Sequence, residues 1–464
     1  EEWSAVTWRA MSCLMTGGGI GIDYSRLRPA GKALARTGGT ASGPIPLMSA
    51  INEIGRNVMQ GGSRRSAIYA SLSWQHDDIH TFLGAKNWPE ALREAKLTDF
   101  NSWAPLDMTN ISVNYDDAAF GRRGTNFPHS SDSIEFGLEN NPVFLENCHQ
   151  AMMTGEPGFS FNFGDKENET LRNACTEVTS EDDSDVCNLG SINMGNIESL
   201  AQFRDIVQLA SKFLVCGTLR ADLPYEKVYK VREKNRRLGL GLMGVAEWLL
   251  QRGCSYEVTE ELKKWLEVYA TESERAANEH CDRFYISRPV AYRSIAPTGS
   301  IGILAGTTTG IEPLFAVAYK RRYLTEGTKW KYEFVVDGAA QQLIQMYGAD
   351  PDSIQTALDM AIDYERRIKF QFDIQKYVDM SISSTINMPE WGDKHNNEST
   401  VLPFATILAK YAPGLRGFTV YPNGARGGQP LTKVEYKEAL RHKDVIYDEI
   451  VDICDLTGSG TCGL

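Results

Sequence analysis

The chain has 464 residues, of which 42% are hydrophobic and 23% are charged, and its formal net charge is −12. This length can hold two or three average domains or one large α/β barrel. The negative charge excludes a sequence-independent nucleic-acid binder, which needs a basic face, and no apolar run reaches the ~18 residues of a membrane span.

The nine cysteines are scattered along the chain rather than set in a dense framework. In a chain of this length, such cysteines are typical of intracellular thiols, some of which can be redox-active. The first residues, 1–9, also lack the basic and apolar regions of a signal peptide. We therefore expect a cytoplasmic protein without nucleic-acid or membrane partners.

In chain order, the first predicted element is a helix over residues 1–15, which ends at three glycines suited to a helix C-terminus. Alternating apolar residues predict short strands over 19–24, 110–114, 158–162 and 419–421. Amphipathic stretches predict helices over 141–154, 199–214, 238–251, 260–284 and 355–367. Strands separated by helices favour a parallel α/β arrangement over an all-β sandwich.

Two cysteines and a carboxylate occur close together in Asn173-Ala174-Cys175-Thr176-Glu177 and the following Cys187-Asn188-Leu189-Gly190-Ser191-Ile192-Asn193. A thiol can act as nucleophile, metal ligand or hydrogen-atom donor, and a nearby glutamate can move protons. A zinc site needs four ligands, and no Cys-x-x-Cys or His pair supplies the rest. Spacing alone leaves these alternatives open, including a thiol-based metal-binding protein.

The Asn-x-Cys-x-Glu pattern, followed by Cys-Asn-Leu-Gly-Ser-Ile-Asn, is similar to the finger loop of ribonucleotide reductases. Other segments resemble signatures of this family and follow its order: 17–29 (GGGIGIDYSRLRP), 38–44 (GGTASGP), 60–65 (QGGSRR), 237–241 (RLGLG), 296–301 (APTGSI), 310–313 (GIEP), 379–383 (DMSIS) and 419–421 (TVY). The resemblance implies the family's ten-stranded α/β barrel over residues 1–440. A central finger loop at about 171–190 would carry the radical cysteine, and 441–464 would form a tail.

The resemblance also implies roles for the finger-loop residues. Cys175 would carry a thiyl radical that abstracts the hydrogen from C3′ of a ribonucleotide substrate. Glu177 would take the proton of the 3′-hydroxyl, and Asn173 would hydrogen-bond the sugar hydroxyls. Cys187 matches one of the two thiols that reduce the 2′-carbon and close to a disulfide. The other would lie before residue 1, and we interpret Cys13 as structural.

The substrate phosphates would bind at Pro297, Thr298, Gly299 and Ser300, where a helix start presents backbone N–H groups to an anion. An ordinary strand-to-helix turn capped by Thr or Ser is the alternative.

Two loops, at about 31–43 and 60–66, resemble those through which an effector nucleotide selects the substrate base. Gly-rich loops can adopt different shapes with different effectors, although plain surface flexibility is an alternative. Members of the family often dimerise near these loops, which leaves a homodimer open. The candidate residues are Arg36, Gly38, Gly39, Gly61, Gly62 and Arg64.

Two further thiols, Cys454 and Cys462, flank a Gly-Ser-Gly segment close to the last residue given. In the family, a C-terminal thiol pair re-reduces the active-site disulfide by exchange, and a thioredoxin- or glutaredoxin-type dithiol reductant serves the cycle. Two incidental exposed cysteines are the alternative.

Family members differ in their radical source, which is either adenosylcobalamin or a metal-loaded, ferritin-like partner subunit. Tyr421 stands alone where partner-dependent enzymes carry two adjacent relay tyrosines, which favours adenosylcobalamin. Ala174 and Thr176, however, replace the Pro and Gly usual in cobalamin enzymes, and the compact form resembles phage-type reductases. On balance the sequence favours a radical-generating small subunit, with no metal on this chain, and leaves open a virus-encoded enzyme acting in the host cytoplasm.

Two rival functions deserve comparison: a radical lyase that transfers acyl groups, and an inactive relative that only binds nucleotides. The lyase would need adjacent cysteines at the finger tip and no nucleotide loops. The inactive relative is disfavoured because Asn173, Cys175 and Glu177 are all present.

Overall fold

The structure is a computed structural model that describes residues 3–35, 38–58, 66–98, 102–120, 137–325, 329–425 and 431–448. Within these ranges the helices, α1 to α14 in chain order, are Trp3–Met15, Pro44–Asn57, Ile79–Leu83, Glu90–Thr98, Pro142–Thr154, Leu200–Arg220, Glu226–Asn235, Val245–Gln251, Glu260–Arg283, Gly299–Ala305, Gly338–Tyr347, Tyr364–Gln375, Val401–Tyr411 and Tyr436–Arg441. The strands, β1 to β14, are Ile20–Asp23, Ile68–Ser73, Thr109–Tyr115, Gly158–Phe161, Leu171–Arg172, Thr179–Ser180, Asn188–Asn193, Leu238–Met243, Ala318–Thr325, Lys329–Val336, Thr385–Met388, Gly417–Pro422, Leu431–Lys433 and Ile446–Asp448.

The main sheet consists of two halves, each a set of parallel strands, and the strands of one half run antiparallel to those of the other. Strands β1 to β4 are parallel neighbours, β12 runs antiparallel to β4, and β11 is parallel to β12. Two parallel bridges, Ile295↔Ile382 and Leu240↔Arg293, extend the second half to β8, which pairs with β7. Hydrogen-bonded segments therefore run continuously from β1 to β7. A separate antiparallel sheet has the order β13-β9-β10-β14.

Two hydrophobic cores lie against the main sheet. One packs Phe144 of α5 and Leu408 of α13 against β2 to β4 and also against β12 and β11. The other packs Leu240 of β8 against Trp248 and α9.

The chain between β4 and β7 contains the antiparallel hairpin β5–β6, a segment named the finger because it lies within the predicted finger loop at about 171–190. Its first strand passes so close to β1 that a Cβ atom on Gly21 would overlap the carbonyl oxygen of Arg172. Glycine at this position is therefore a packing requirement, since any side chain would push the finger away from β1.

The α/β class is confirmed, whereas a closed barrel of ten strands is not what the described residues show. Among them, no strand pairing joins β7 back to β1. Helix α1 packs against β1, and beyond it Arg9 of this helix pairs with Asp183 at 3.6 Å and Trp8 contacts the ring of Tyr225.

Most predicted elements are confirmed within a few residues. Helices α1, α5, α6 and α9 and strands β1, β3, β4 and β12 all occupy predicted segments. Local capping explains two of the helix starts, because Ser199 accepts a hydrogen bond from the Gln202 N–H and Thr259 accepts one from the Leu262 N–H. Among the described residues, no helix is long and apolar enough to cross a membrane.

Two helix predictions are wrong. Residues 238–251 form strand β8 followed by the short helix α8, because Leu-Gly-Leu-Gly-Leu alternates with period two and lies wholly buried in the sheet. Residues 355–363 are not helical, since the Thr356 hydroxyl bonds to Asp359 in a local turn. The helix begins instead at Tyr364, after Asp363 caps the Arg366 N–H.

Replacing Gly21 with Ala is expected to displace the finger from β1 and to lower the free energy of unfolding by about 1–3 kcal/mol or more, as overpacking does. Urea unfolding of the variant and the parent protein measures the difference. The matched control is Gly84→Ala, where the added Cβ would have no neighbour closer than 3.7 Å. Equal stability of the two variants would contradict this account of Gly21.

Candidate active site

The tip of the finger is a tight turn that ends at residue 178. The Thr176 N–H donates to the carbonyl oxygen of Asn173 at 3.1 Å, and Thr176 itself has a left-handed backbone with φ of 68°. The side-chain oxygen of Asn173 accepts from the Val178 N–H at 3.1 Å. These bonds place Cys175 and Glu177 on one short turn, as the sequence predicts.

The carboxyl group of Glu177 is buried without full hydrogen bonding. Its side chain is 1% exposed, and its Oε2 atom has no hydrogen-bond partner among the described residues. Burial raises the pKa of Glu177, and a hydrogen bond from Asn173 offsets part of this rise. A buried acceptor with free capacity is suited to taking a proton from a bound ligand.

The thiol of Cys175 stays protonated at neutral pH. Burial, and secondly the negative charge of Glu177, raise the pKa of Cys175 to about 12. A nucleophile or metal ligand needs the thiolate, whereas a hydrogen-atom donor needs the S–H bond. The electrostatics at Cys175 therefore favour hydrogen-atom chemistry over the other uses of a thiol.

Cys187 lies just before β7. A Cβ atom on Gly239 of β8 would approach its sulfur to 2.9 Å, so only glycine leaves room for the thiol. Burial raises the pKa of Cys187, the charge of Arg237 lowers it, and the charge of Glu177 contributes a smaller rise. The charge of Glu177 therefore acts in the same direction on both thiols, Cys175 and Cys187.

The predicted phosphate region forms the start of α10. Thr298 is buried and has a φ of 51°, and its hydroxyl accepts from the Gly310 N–H at 2.7 Å rather than capping α10. Gly299 and Ser300 are exposed, and a Cβ on Gly299 would meet no atom within 4 Å. The simple capped turn considered as an alternative is therefore not what the structure shows.

The effector-loop candidates are only partly described. In the first loop, Gly38 and Gly39 have φ values of 73° and 81°, and residues 33 and 40 form an antiparallel bridge.

The radical-relay candidate, Tyr421, lies on β12 beside Asn387 of β11. Six other candidates lie outside the described residues: Arg36, Gly61, Gly62, Arg64, Cys454 and Cys462.

Three residues at the finger tip were not found from the sequence. Asn110 donates to the carbonyl oxygen of Ala174, and Ser294 and Ser381 contact the carbonyl oxygen of Glu177. Each lies in or beside a predicted strand or family motif. A single Asn or Ser, however, forms no sequence pattern that would indicate a contact with the finger. Among the described residues, no group of three or more His, Cys, Asp or Glu side chains could hold a metal ion.

The sequence matches the barrel domain of ribonucleotide reductases over residues 4–113, 149–278 and 288–421. The chain therefore belongs to the ribonucleotide reductase barrel-domain family, whose members are oxidoreductases.

Its relatives include the vitamin B12-dependent ribonucleoside-diphosphate reductase of Mycobacterium tuberculosis, 28% identical over 95% of this chain and 68% of that protein. A protein of Mycobacterium phage D29, provisionally named an adenosylcobalamin-dependent ribonucleoside-triphosphate reductase, is 26% identical over 90% of this chain and 68% of its own length. A crystal structure of a B12-dependent (class II) ribonucleotide reductase shares the fold, with a TM-score of 0.63 and 17% identity over 94% of this chain and 64% of that one. The chain thus spans about two thirds of the length of these relatives.

Replacing Glu177 with Gln is expected to raise the alkylation rate of Cys175 by iodoacetamide at pH 9 about two- to tenfold. The reason is that removing the negative charge lowers the thiol pKa, and one pKa unit changes the thiolate fraction tenfold. Mass spectrometry of the Cys175 peptide measures the rate, with the exposed Cys216 as internal reference.

The control variant is Glu226→Gln, which removes a carboxylate from a surface pair with Lys230. A Cys175 rate that stays equal in both variants would show that Glu177 does not set the thiol pKa.

Proposed function

We propose that this chain is the catalytic part of an adenosylcobalamin-dependent ribonucleotide reductase, which converts ribonucleotides to 2′-deoxyribonucleotides. The observation that carries the proposal is the pairing, on one buried turn, of a protonated thiol at Cys175 with an incompletely bonded carboxylate at Glu177. Family membership and the B12-dependent relatives support it.

Cys175 is proposed to act as a reversible hydrogen-atom carrier. Its thiyl radical takes the hydrogen atom from C3′ of the ribose and returns a hydrogen atom to C3′ at the end of the cycle. The high pKa keeps sulfur in the S–H form between turnovers, so the hydrogen atom is present when a new cycle begins. Partial exposure leaves the thiol accessible to a bound ligand.

Glu177 is proposed to take the proton of the 3′-hydroxyl while the 2′-hydroxyl leaves as water, with the proton it needs supplied by a thiol of the reducing pair. Its unpartnered Oε2 provides the acceptor, and its burial strengthens the interaction with a bound hydroxyl. Asn173 uses its side-chain oxygen within the turn, so its N–H₂ group is the part that can donate to the carboxylate or to a sugar hydroxyl.

Cys187 is proposed to supply one of the two thiols whose oxidation to a disulfide provides the two electrons for the 2′-carbon. An external dithiol of the thioredoxin or glutaredoxin type would restore the thiols by exchange, with Cys454 and Cys462 as the relay that the resemblance implies. The polar start of α10 at Pro297, Thr298, Gly299 and Ser300 would hold the substrate phosphates.

The comparisons favour a different radical source from the one that the sequence predicts. The sequence favours a metal-loaded small subunit, but the relatives are named for vitamin B12 or adenosylcobalamin, and that partner subunit is not supported. The sequence around Tyr421 also supports adenosylcobalamin, because Val420 and Pro422 flank this tyrosine and no second tyrosine is adjacent to it. When bound, adenosylcobalamin supplies the radical that oxidises the Cys175 thiol. Cys175 is partly exposed, so its thiol would be accessible to that radical, and the exposed Asn110 bonds to the residue before it.

The two effector loops are proposed to let a bound nucleotide select the substrate base, in a monomer or a homodimer. The phage relative supports the option of a virus-encoded enzyme acting in the host cytoplasm.

The full-length protein is expected to form deoxynucleotides from ribonucleoside di- or triphosphates when given adenosylcobalamin, a dithiol and an effector. Cys175→Ser is expected to abolish product, at least a thousandfold below the parent protein, since a hydroxyl cannot replace the hydrogen-atom carrier. Chromatography of the deoxynucleotides measures the yield, and Cys216→Ser is the control that should keep activity.

Product formation only with a metal-loaded partner subunit would restore the first interpretation of the radical source. Full activity of Cys175→Ser, or no product under either condition, would reject the reductase proposal.

The rate is expected to fall as pH decreases through the raised pKa of Glu177, because only its carboxylate form can accept a proton. The acidic limb of kcat should therefore lie above the usual glutamate pKa of about 4.3. A pH–rate profile of the parent protein measures this limb, and Glu177→Gln should lose both the limb and most of the rate. If the pH–rate profile of Glu177→Gln keeps an acidic limb at the same pH, a group other than Glu177 is responsible for that limb.

A further inference from the structure

The finger tip is held by hydrogen bonds on both sides of Cys175. Before the cysteine, the Asn110 side-chain N–H donates to the carbonyl oxygen of Ala174 at 3.0 Å. After it, the carbonyl oxygen of Glu177 accepts two bonds, each of 2.9 Å, from the Ser294 hydroxyl and the Ser381 N–H. The residues between these anchors include both groups proposed to react.

The two side-chain anchors come from opposite halves of the sheet. Asn110 belongs to β3 in the first half, whereas Ser294 lies between the two bridged residues that extend the second half to β8. The turn between them contains Thr176 with a φ of 68°. A left-handed non-glycine residue costs roughly 1–2 kcal/mol and persists only where its surroundings hold it.

The Ser294 hydroxyl is not needed merely to satisfy a buried carbonyl. The Glu177 carbonyl already accepts from the Ser381 N–H, and one such bond satisfies a buried backbone acceptor. Ser294 is 0% exposed, so its hydroxyl is committed to this second bond. Two donors converging on one oxygen fix its position, and through it the direction in which the Glu177 side chain leaves the backbone.

Asn110 differs from Ser294 because its residue is exposed although it bonds to the finger. Its amide group bonds to the carbonyl oxygen of Ala174, the residue directly before Cys175. The bond to the preceding carbonyl holds the backbone that carries the thiol, without burying the thiol itself.

We propose that Asn110 and Ser294 are positioning residues, which fix the thiol of Cys175 and the carboxylate of Glu177 relative to each other from the two halves of the sheet. The proposal rests on the reductase function proposed above. Its physical basis is that a misplacement of about 1 Å in a reacting group can cost a hundredfold in rate.

The first test compares Ser294→Ala with Ser211→Ala. Ser211 is a matched control, since its buried hydroxyl also donates to a backbone carbonyl, that of Val207 at 2.7 Å, but within α6. With adenosylcobalamin, Ser294→Ala is expected to lower kcat about tenfold or more with KM nearly unchanged. Its acidic limb should move to lower pH, because a looser tip leaves Glu177 better solvated and lowers its pKa.

The second test needs no cofactor and no turnover. Alkylation of Cys175 by iodoacetamide is expected to be at least threefold faster in Asn110→Ala and Ser294→Ala than in the parent protein, since a loosened tip exposes the thiol and lowers its pKa. Cys216 in the same samples, and Cys175 in Ser211→Ala, should keep their parent rates.

The two tests separate the proposals. If the parent protein forms no deoxynucleotide but alkylation responds as expected, the reductase function fails and the anchoring of the tip stands. If Ser294→Ala and Asn110→Ala match Ser211→Ala in kcat, pH profile and alkylation, the positioning role is overturned. A rise in KM alone would also overturn it, since that would place the two residues in substrate binding.

Discussion

The close passage of the finger hairpin against β1 is the constraint on which the rest of this structure depends. The carbonyl of Arg172 occupies the space that a side chain on Gly21 would need. The finger can therefore pass this close to β1 only because residue 21 is a glycine. The guanidinium of Arg172, buried at the base, donates to the Asn162 side chain at 2.8 Å. With its base fixed on the first half, the finger brings its tip within reach of both halves.

Burial of that tip sets the chemistry of the groups it carries. Removal from water raises the pKa of the Cys175 thiol and of the Glu177 carboxyl, and the charge of Glu177 acts further on the thiol. A thiol that keeps its hydrogen is a poor zinc ligand and a poor nucleophile. Together with a carboxylate that has an unused acceptor atom, it provides what the proposed radical dehydration of a sugar needs, and both features arise from position rather than from residue type.

The radical source depends on different features from the active-site turn. In the proposed reaction the finger tip would serve the same step whether the radical comes from a cofactor or from another subunit, and so Ala174 and Thr176 are a weak guide to the radical source. The relatives named for vitamin B12, and the lack of a second tyrosine next to Tyr421 in the sequence, support the proposed cofactor. Substitutions next to Cys175 change only the geometry of the turn. Radical transfer from another subunit, by contrast, needs additional aromatic residues, so the presence or absence of a tyrosine pair says more about the radical source.

The sequence by itself determined the family, the α/β class, most helices and strands, and the grouping of Asn173, Cys175 and Glu177, because local patterns and ordered motifs carry that information. The helix predictions for residues 238–243 and 355–363 are wrong, because the Leu-Gly alternation of the first has the period of a strand and the Thr356 hydroxyl of the second bonds to Asp359 in a local turn. Only the tertiary structure decided that Asn110 and Ser294 meet the finger tip. Contacts between residues more than sixty positions apart depend on how the two halves of the sheet pack, and single polar side chains leave no trace of them in the sequence.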